Sequence, residues 1–243
     1  MTFTNIRTGN YGTPPPNEGK IVIKSEFNSF MYHRIGGLLT VIKEGIAIVS
    51  SENAGSVNEK QKYFLNMARK NADKLNRLLS NSFKFRGLTT GEIETSLKKN
   101  DINEIIKKIQ TEMLPLAKEK GINFVVNLDK TISSEAVFDG ELMKEVFLNI
   151  IANAINFTEK GKITVTTSFK APDIKVVVKD TGIGIKKKDL PYIFDSRKLI
   201  KLKNEVCLGL AISKEIIQKH NGKIRIKSTP RKGTTVSLTL PIK

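Results

Sequence analysis

The chain has a single cysteine among 243 residues, few aromatic residues, and 24 acidic side chains against 41 basic ones. One thiol, Cys207, excludes a disulfide within the chain and fits a reducing compartment. No stretch approaches the ~18–20 apolar residues that a membrane helix requires, and no signal-peptide pattern opens the sequence. A cytoplasmic location is therefore expected, with any membrane sensing supplied by a partner. There is no zinc-ligand spacing and no RNA-binding aromatic box, so no metal cluster is expected. The net charge of +17 would attract nucleic acid or an anionic membrane. The lysines are scattered along the whole chain, however, which equally fits a solvated lysine-rich surface. Nucleic acid is not the expected partner.

Hydrophobic residues make up 39% of the chain, enough for one or two domains with a real core. Pro14, Pro15, Pro16 and nearby glycines give residues 1–23 the composition of a flexible tail. Beyond it, Phe27, Met31, Leu38, Ile42, Ile46 and Val49 recur at helical spacing. After a polar break, Phe64, Ala68, Leu75, Leu78, Leu79 and Phe83 do so again. Two helices with one apolar stripe each cannot close a core, whereas the same hairpin from a second chain completes a four-helix bundle. A homodimer is the physical expectation. Gly87 and Gly91 mark a linker. Then come a helix over 102–120, a strand over 122–128 and a helix over 139–157. Alternating strands follow at 163–167 and 174–178, then a glycine-bounded helix and a closing hairpin around Gly233. This order of elements predicts an α+β two-layer sandwich.

The most informative segment is VVVKDTGIG at 176–184. An alternating strand delivers Asp180 to a turn containing Gly182 and Gly184. A buried carboxylate there accepts a hydrogen bond from an exocyclic amine, and glycines let a ligand approach the main chain. Upstream, Asn149 and Asn153 lie four apart and share one helix face. Downstream, Gly209 and Leu210 open the LGLAI helix, which stops at Gly222.

This order of asparagine helix, D-x-G-x-G turn and L-G-L-A-I helix resembles the GHKL ATPases and, within them, the catalytic core of sensor histidine kinases. KSEFNSFMYHRIGGLLTVIKEG resembles their phosphoacceptor helix, with His33 at the acceptor position. The resemblance covers roughly residues 24 to 243. It implies a dimerisation and phosphoacceptor hairpin over 24–88 and an ATP-binding domain of the Bergerat type over 97–243. It also implies that Asp180 contacts the adenine amino group, with Gly182 and Gly184 close to the nucleotide. Asn153 would bind Mg²⁺, and Asn149 takes the position one turn before it. An amide oxygen is a hard ligand suited to that ion. The partner implied is the receiver domain of a response regulator, which would accept the phosphoryl group from His33.

Several positions depart from the family pattern. Arg34 stands where an acid usually follows the histidine, and a guanidinium cannot act as a base. Gly37 replaces a threonine or asparagine, and Leu38 replaces a proline. Asn156 stands where a lysine or arginine is usual. Glu205 and Cys207 replace glycines of the last box, leaving Gly209. The basic segment 197–203 would neutralise phosphates or form a solvated loop. Two functions follow from the resemblance: an ATP-dependent histidine autokinase that relays phosphate, or a catalytically impaired dimeric scaffold of the same fold.

Overall fold

The computed structural model describes residues 18–51, 55–132, 136–195 and 206–241, without the side chains of residues 18–31, His33, Val206 and Cys207. Residues 1–17 of the expected tail, the basic segment 197–203 and Glu205 lie outside the described residues. Two compact units, Met1–Phe83 and Lys84–Lys243, divide the chain.

The first unit holds α1 (Glu18–Ser50) and most of α2 (Glu59–Thr90). The first helix begins at Glu18, five residues before the expected end of the tail at residue 23. No proline follows Pro16 in this stretch, and a nucleated helix propagates at little cost. Likewise α2 runs through Gly87 to Thr90, where a linker was expected. The Ile93 side chain covers the space a Cβ would take on Gly87, and the Ile93 N–H donates to the Gly87 carbonyl at 2.9 Å. Gly91, at φ +82°, makes the turn out of the helix. Within the unit, Lys43 pairs with Asp73 at 2.6 Å and Tyr32 stacks on Phe83. The two contacts lie eleven residues apart on α1 and ten apart on α2, in opposite directions, so the helices are antiparallel.

The second unit is a two-layer α+β sandwich. Its elements are β1 (Lys98–Asn100), α3 (Ile102–Glu119), β2 (Ile122–Asn127), β3 (Ala136–Phe138) and α4 (Gly140–Phe157). They continue as β4 (Gly161–Lys170), β5 (Asp173–Asp180), a 3₁₀ turn at Leu190–Tyr192, α5 (Val206–Lys219), β6 (Lys223–Thr229) and β7 (Gly233–Pro241). The main sheet has the order β2-β4-β5-β7-β6, with β2 parallel to β4 and the remaining pairs antiparallel. Strands β1 and β3 form a separate antiparallel pair that the sequence pattern did not reveal.

Period-two alternation decides which face is covered. On β4 and β5, Ile163, Val165, Ile174, Val176 and Val178 are buried while their neighbours are not. Helices α3 and α4 meet them from that side with Ile102, Ile106, Ile109, Met143, Phe147 and Ile151, all fully buried. Both helices start on capping carboxylates: Asp101 accepts from the Asn103 and Glu104 N–H groups, and Asp139 from that of Leu142. Asp139 also accepts from Ser96 N–H, while its own N–H donates to Nε2 of buried His220 at 3.0 Å. Nε2 therefore accepts, and His220 carries its proton on Nδ1, donated to the Ile216 carbonyl. This chain fixes the start of α4 against the end of α5 and so sets the two helices that flank the pocket described next.

Candidate functional site: a pocket between α4 and the sheet

A cavity of about 440 Å³ lies between α4, the inner ends of β5 and β7, and the segment that follows β5. Its walls are apolar at Ile150, Ala154, Val178, Ile193, Leu210 and Val236, with Asp180, Asn153, Thr234, Lys186, Lys188 and Asp189 as the polar contributions. That composition suits a flat heteroaromatic ligand with a few polar anchors.

Asp180 ends β5 and is 7% exposed. Its Oδ1 accepts from the Gly182 N–H at 2.9 Å and the Thr234 N–H at 3.0 Å. Among the described residues, no donor reaches Oδ2. Burial pushes the carboxyl above its ordinary value, against the opposing pull of those two backbone N–H groups. The result is a carboxylate held rigidly by one oxygen, with the other available to a ligand donor.

The turn after Asp180 is anchored on both sides. Ile183 N–H donates to the Phe157 carbonyl at the end of α4, and the Ile183 carbonyl accepts from Arg231 N–H at 2.7 Å. Ile185 N–H donates to Ser228 Oγ. A Cβ on Gly182 would meet the Phe157 carbonyl, and one on Gly184, at φ +67°, would meet the Thr229 carbonyl. Both glycines are thus required by the chain's own backbone, wedged between α4 and the β6–β7 turn. Gly184 also lines the cavity. Sequence reasoning assigned the glycines only to ligand approach, because the carbonyls they touch are remote in sequence.

On the helix side, Asn153 lines the cavity, and its amide has no hydrogen-bond partner among the described residues. Asn149 is placed differently. Its Nδ2 donates to the Gly209 carbonyl at 3.4 Å, and a Cβ on Gly209 would meet the Asn149 amide at 3.1 Å. Asn149 and Gly209 therefore hold α4 and α5 in close contact, and Ser213 Oγ adds a second bond to the same carbonyl. Leu210, next in the chain, reaches the cavity. Asn156 is exposed and does not line it. His33 and Arg34 lie on α1 in the first unit. Thr234, Lys186, Lys188 and Ile226 line the cavity and were not foreseen. The lysines stood in plain view within the run KKK at 186–188, but a charge run alone does not distinguish a pocket wall from a solvated turn.

Residues 138–243 match the family of histidine kinase-, DNA gyrase B- and HSP90-like ATPases. Sensor histidine kinase GacS of Pseudomonas protegens is 26% identical over 231 residues, 90% of this chain. That match and this relative support a histidine kinase-like ATPase domain in the second half of the chain. The Non-motile and phage-resistance protein of Caulobacter vibrioides is 29% identical over a similar span, again 90% of this chain. The chain spans about a quarter of the length of those two relatives, 25% and 27%. Among solved structures, full-length ShkA in complex with AMPPNP superimposes with a TM-score of 0.76 at 23% identity, covering 90% of this chain and 46% of that one. Acinetobacter baumannii histidine kinase AdeS gives 0.62 at 15% identity, covering 84% of this chain and 95% of that one. At these identities the likeness is one of fold. Among the described residues, no helix is long and apolar enough to cross a membrane.

Proposed function

We propose that the pocket binds ATP with Mg²⁺ and that the chain autophosphorylates His33, then passes the phosphoryl group to an aspartate of a response regulator. The observation that carries this reading is the pairing of Asp180 Oδ2 and the Asn153 amide across one apolar cavity, each without a protein partner among the described residues. The adenine amino group would donate to Asp180, with the ring between Ile150 and Val178. The Asn153 oxygen, a hard neutral donor, fits Mg²⁺, which shares the phosphate oxygens and neutralises their charge. Lys186 and Lys188 add two positive charges to the same wall, against one negative charge from Asp189. That a neighbour in fold was solved with AMPPNP supports the ligand class. In the transfer, an imidazole nitrogen of His33 forms a bond to the γ-phosphorus, the bond from that phosphorus to the β–γ bridging oxygen breaks, and ADP departs.

The hairpin is proposed to pair with that of a second copy, since most of its large apolar residues among the described side chains, such as Leu38, Val41, Ile42, Phe64 and Leu75, stay exposed within one chain. Incubation with γ-labelled ATP tests the central claim. Acid-labile label should appear on the wild type and be absent from His33→Ala; label that persists in that variant removes His33 from the mechanism.

Arg34 and Asn156 favour a second reading, a dimeric scaffold that binds nucleotide without transferring phosphate. The first cannot assist deprotonation of the imidazole, and the second sits exposed outside the cavity. Arg34→Glu separates the two. General acid–base assistance contributes ~10²–10⁴-fold, so a slow kinase should gain at least about tenfold, whereas a scaffold gains nothing.

A further inference from the structure

The helices of the second unit all pack on one face of the main sheet, and the opposite face carries a predominantly cationic array, with Asp173 at its edge beside Lys170. Its register can be read in rows from β4 to β5, β7 and β6. One row is Thr164, Lys179, Thr235 and Lys227. The next is Thr166, Val177, Ser237 and Arg225. The third is Ser168, Lys175, Thr239 and Lys223. Five cations stand among hydroxyls, and no carboxylate occupies any position in these rows. All five cations are exposed, and none forms an ion pair with a described residue.

From this array we infer that the outer face of the sheet docks on an anionic lipid surface. Strand spacing places the cations about 7 Å apart along β6, about 13 Å apart along β5 and about 10 Å apart across the intervening β7. These distances are comparable to the Debye length of about 8 Å at physiological ionic strength, so the charges repel one another weakly yet act together on a broad anionic surface. Four of the five are lysines, compact point charges suited to diffuse phosphate rather than to bidentate readout. The rows hold no aromatic side chain on which bases would stack, and no helix to enter a groove. A bilayer needs neither. Val178, Ile226 and Val236, which line the nucleotide pocket, belong to the same strands but face the helices. Docking through the outer face therefore leaves the pocket clear.

Co-sedimentation of the whole chain with lipid vesicles tests the inference. Phosphatidylcholine vesicles containing about one third phosphatidylserine should bind it in low salt, phosphatidylcholine alone should not, and salt should release it. The combined Lys175→Glu, Arg225→Glu and Lys227→Glu variant should lose more than about tenfold in affinity. The combined Lys108→Glu, Lys118→Glu and Lys160→Glu variant changes net charge equally and should lose no more than about twofold. Equal losses would show that overall charge, not this face, is responsible, and would overturn the inference. Absence of binding to the mixed vesicles would do the same, as would tighter binding to duplex DNA or single-stranded RNA than to vesicles. If the reversed variant melts early, glutamine at the same three positions keeps the test decisive: it should still weaken binding, and unchanged binding counts against the proposal.

Discussion

The two units of this chain solve the burial problem in opposite ways. Lys84–Lys243 encloses its own core: α3, α4 and α5 bury most of their apolar residues against the sheet, and the sheet's inner face matches them. In Met1–Phe83, Leu39 and Ala72 are the buried apolar residues among the described side chains. Leu38, Val41, Ile42 and Ile48 on α1 and Tyr63, Phe64, Met67 and Leu75 on α2 remain exposed at helical spacing. Val41 is 66% exposed and Leu38 64%, values unusual for a stripe rather than for isolated side chains. One unit is complete as a folded object, while the other leaves apolar stripes exposed, which is the basis for the proposed pairing with a second copy. A substitution at an apolar position should therefore act on stability in the second unit and on association in the first.

The largest effect expected is from Phe147→Ala. The ring is fully buried among the residues of α4 and the sheet, so its removal leaves a cavity. Such truncations cost about 3–5 kcal/mol. Denaturant titration should show a correspondingly earlier transition for the second unit. A loss below about 1 kcal/mol would mean that this core is not closed as described.

Next in size is Leu75→Glu on α2. Its side chain is 46% exposed, so the charge costs one isolated hairpin little. In a paired hairpin the same carboxylate would be buried without a partner, a cost of about 3–5 kcal/mol by analogy with a broken buried pair. Light scattering at tens of micromolar should report a dimer for the wild type and a monomer for the variant. A monomeric wild type would remove the distinction between the two units.

How much of this was visible in the sequence follows the same division between local and remote. The apolar alternation of β4 and β5, the extent of α4 and the stripes on α1 and α2 are local patterns, and the sequence carries them directly. The burial of the Asp180 carboxylate beside a glycine turn was legible because strand end, acid and glycines are contiguous. What escaped depends on residues far apart in sequence. Thr234 bonds Asp180 from 54 positions away. Asn149 contacts Gly209 across 60, which is why its packing role was hidden behind its proximity to Asn153. The early start of α1 and the passage of α2 through Gly87 were missed because glycine weakens a helix without ending it, and Ile93 compensates by packing over the gap.

Asp180→Asn should leave both units folded while lowering nucleotide affinity. The variant amide oxygen still accepts from the Gly182 and Thr234 N–H groups, so the turn keeps its anchors. What changes is the atom offered to the adenine amine, now a donor facing a donor. Hydrogen bonds to charged groups contribute about 1.5–3 kcal/mol, which corresponds to roughly tenfold to a hundredfold in affinity by calorimetry, alike for ATP and ADP. The pH dependence has a definite sign. Burial raises the folded-state pKa, so the folded chain holds this proton more tightly than the unfolded chain. The associated stabilisation is fully present below the ordinary carboxylate value and is lost as pH rises through the raised one. Relative to the Asn variant, the wild type should therefore lose stability as pH rises above the ordinary carboxylate range. A relative gain over that range would contradict the burial of Asp180.

The smallest expected effect sharpens the account of the hairpin. Lys43 and Asp73 meet at 2.6 Å between α1 and α2, with both side chains well exposed at 39% and 44%. The lysine bond holds the Asp73 carboxyl below its ordinary value, with Arg69 and Arg77 adding to the pull. A lowered folded-state pKa gives stabilisation that is present above the unfolded value and lost as pH falls through the folded one. Solvent screens such a pair, and ordering two flexible side chains offsets most of its attraction. Asp73→Asn should therefore shift neither the thermal midpoint nor the dimer mass measurably at neutral pH, while Leu75→Glu, two residues away on the same helix, dissociates the dimer. A large effect of Asp73→Asn on association would mean that the hairpins recognise one another through charge, and that their exposed apolar stripes serve something other than a second copy.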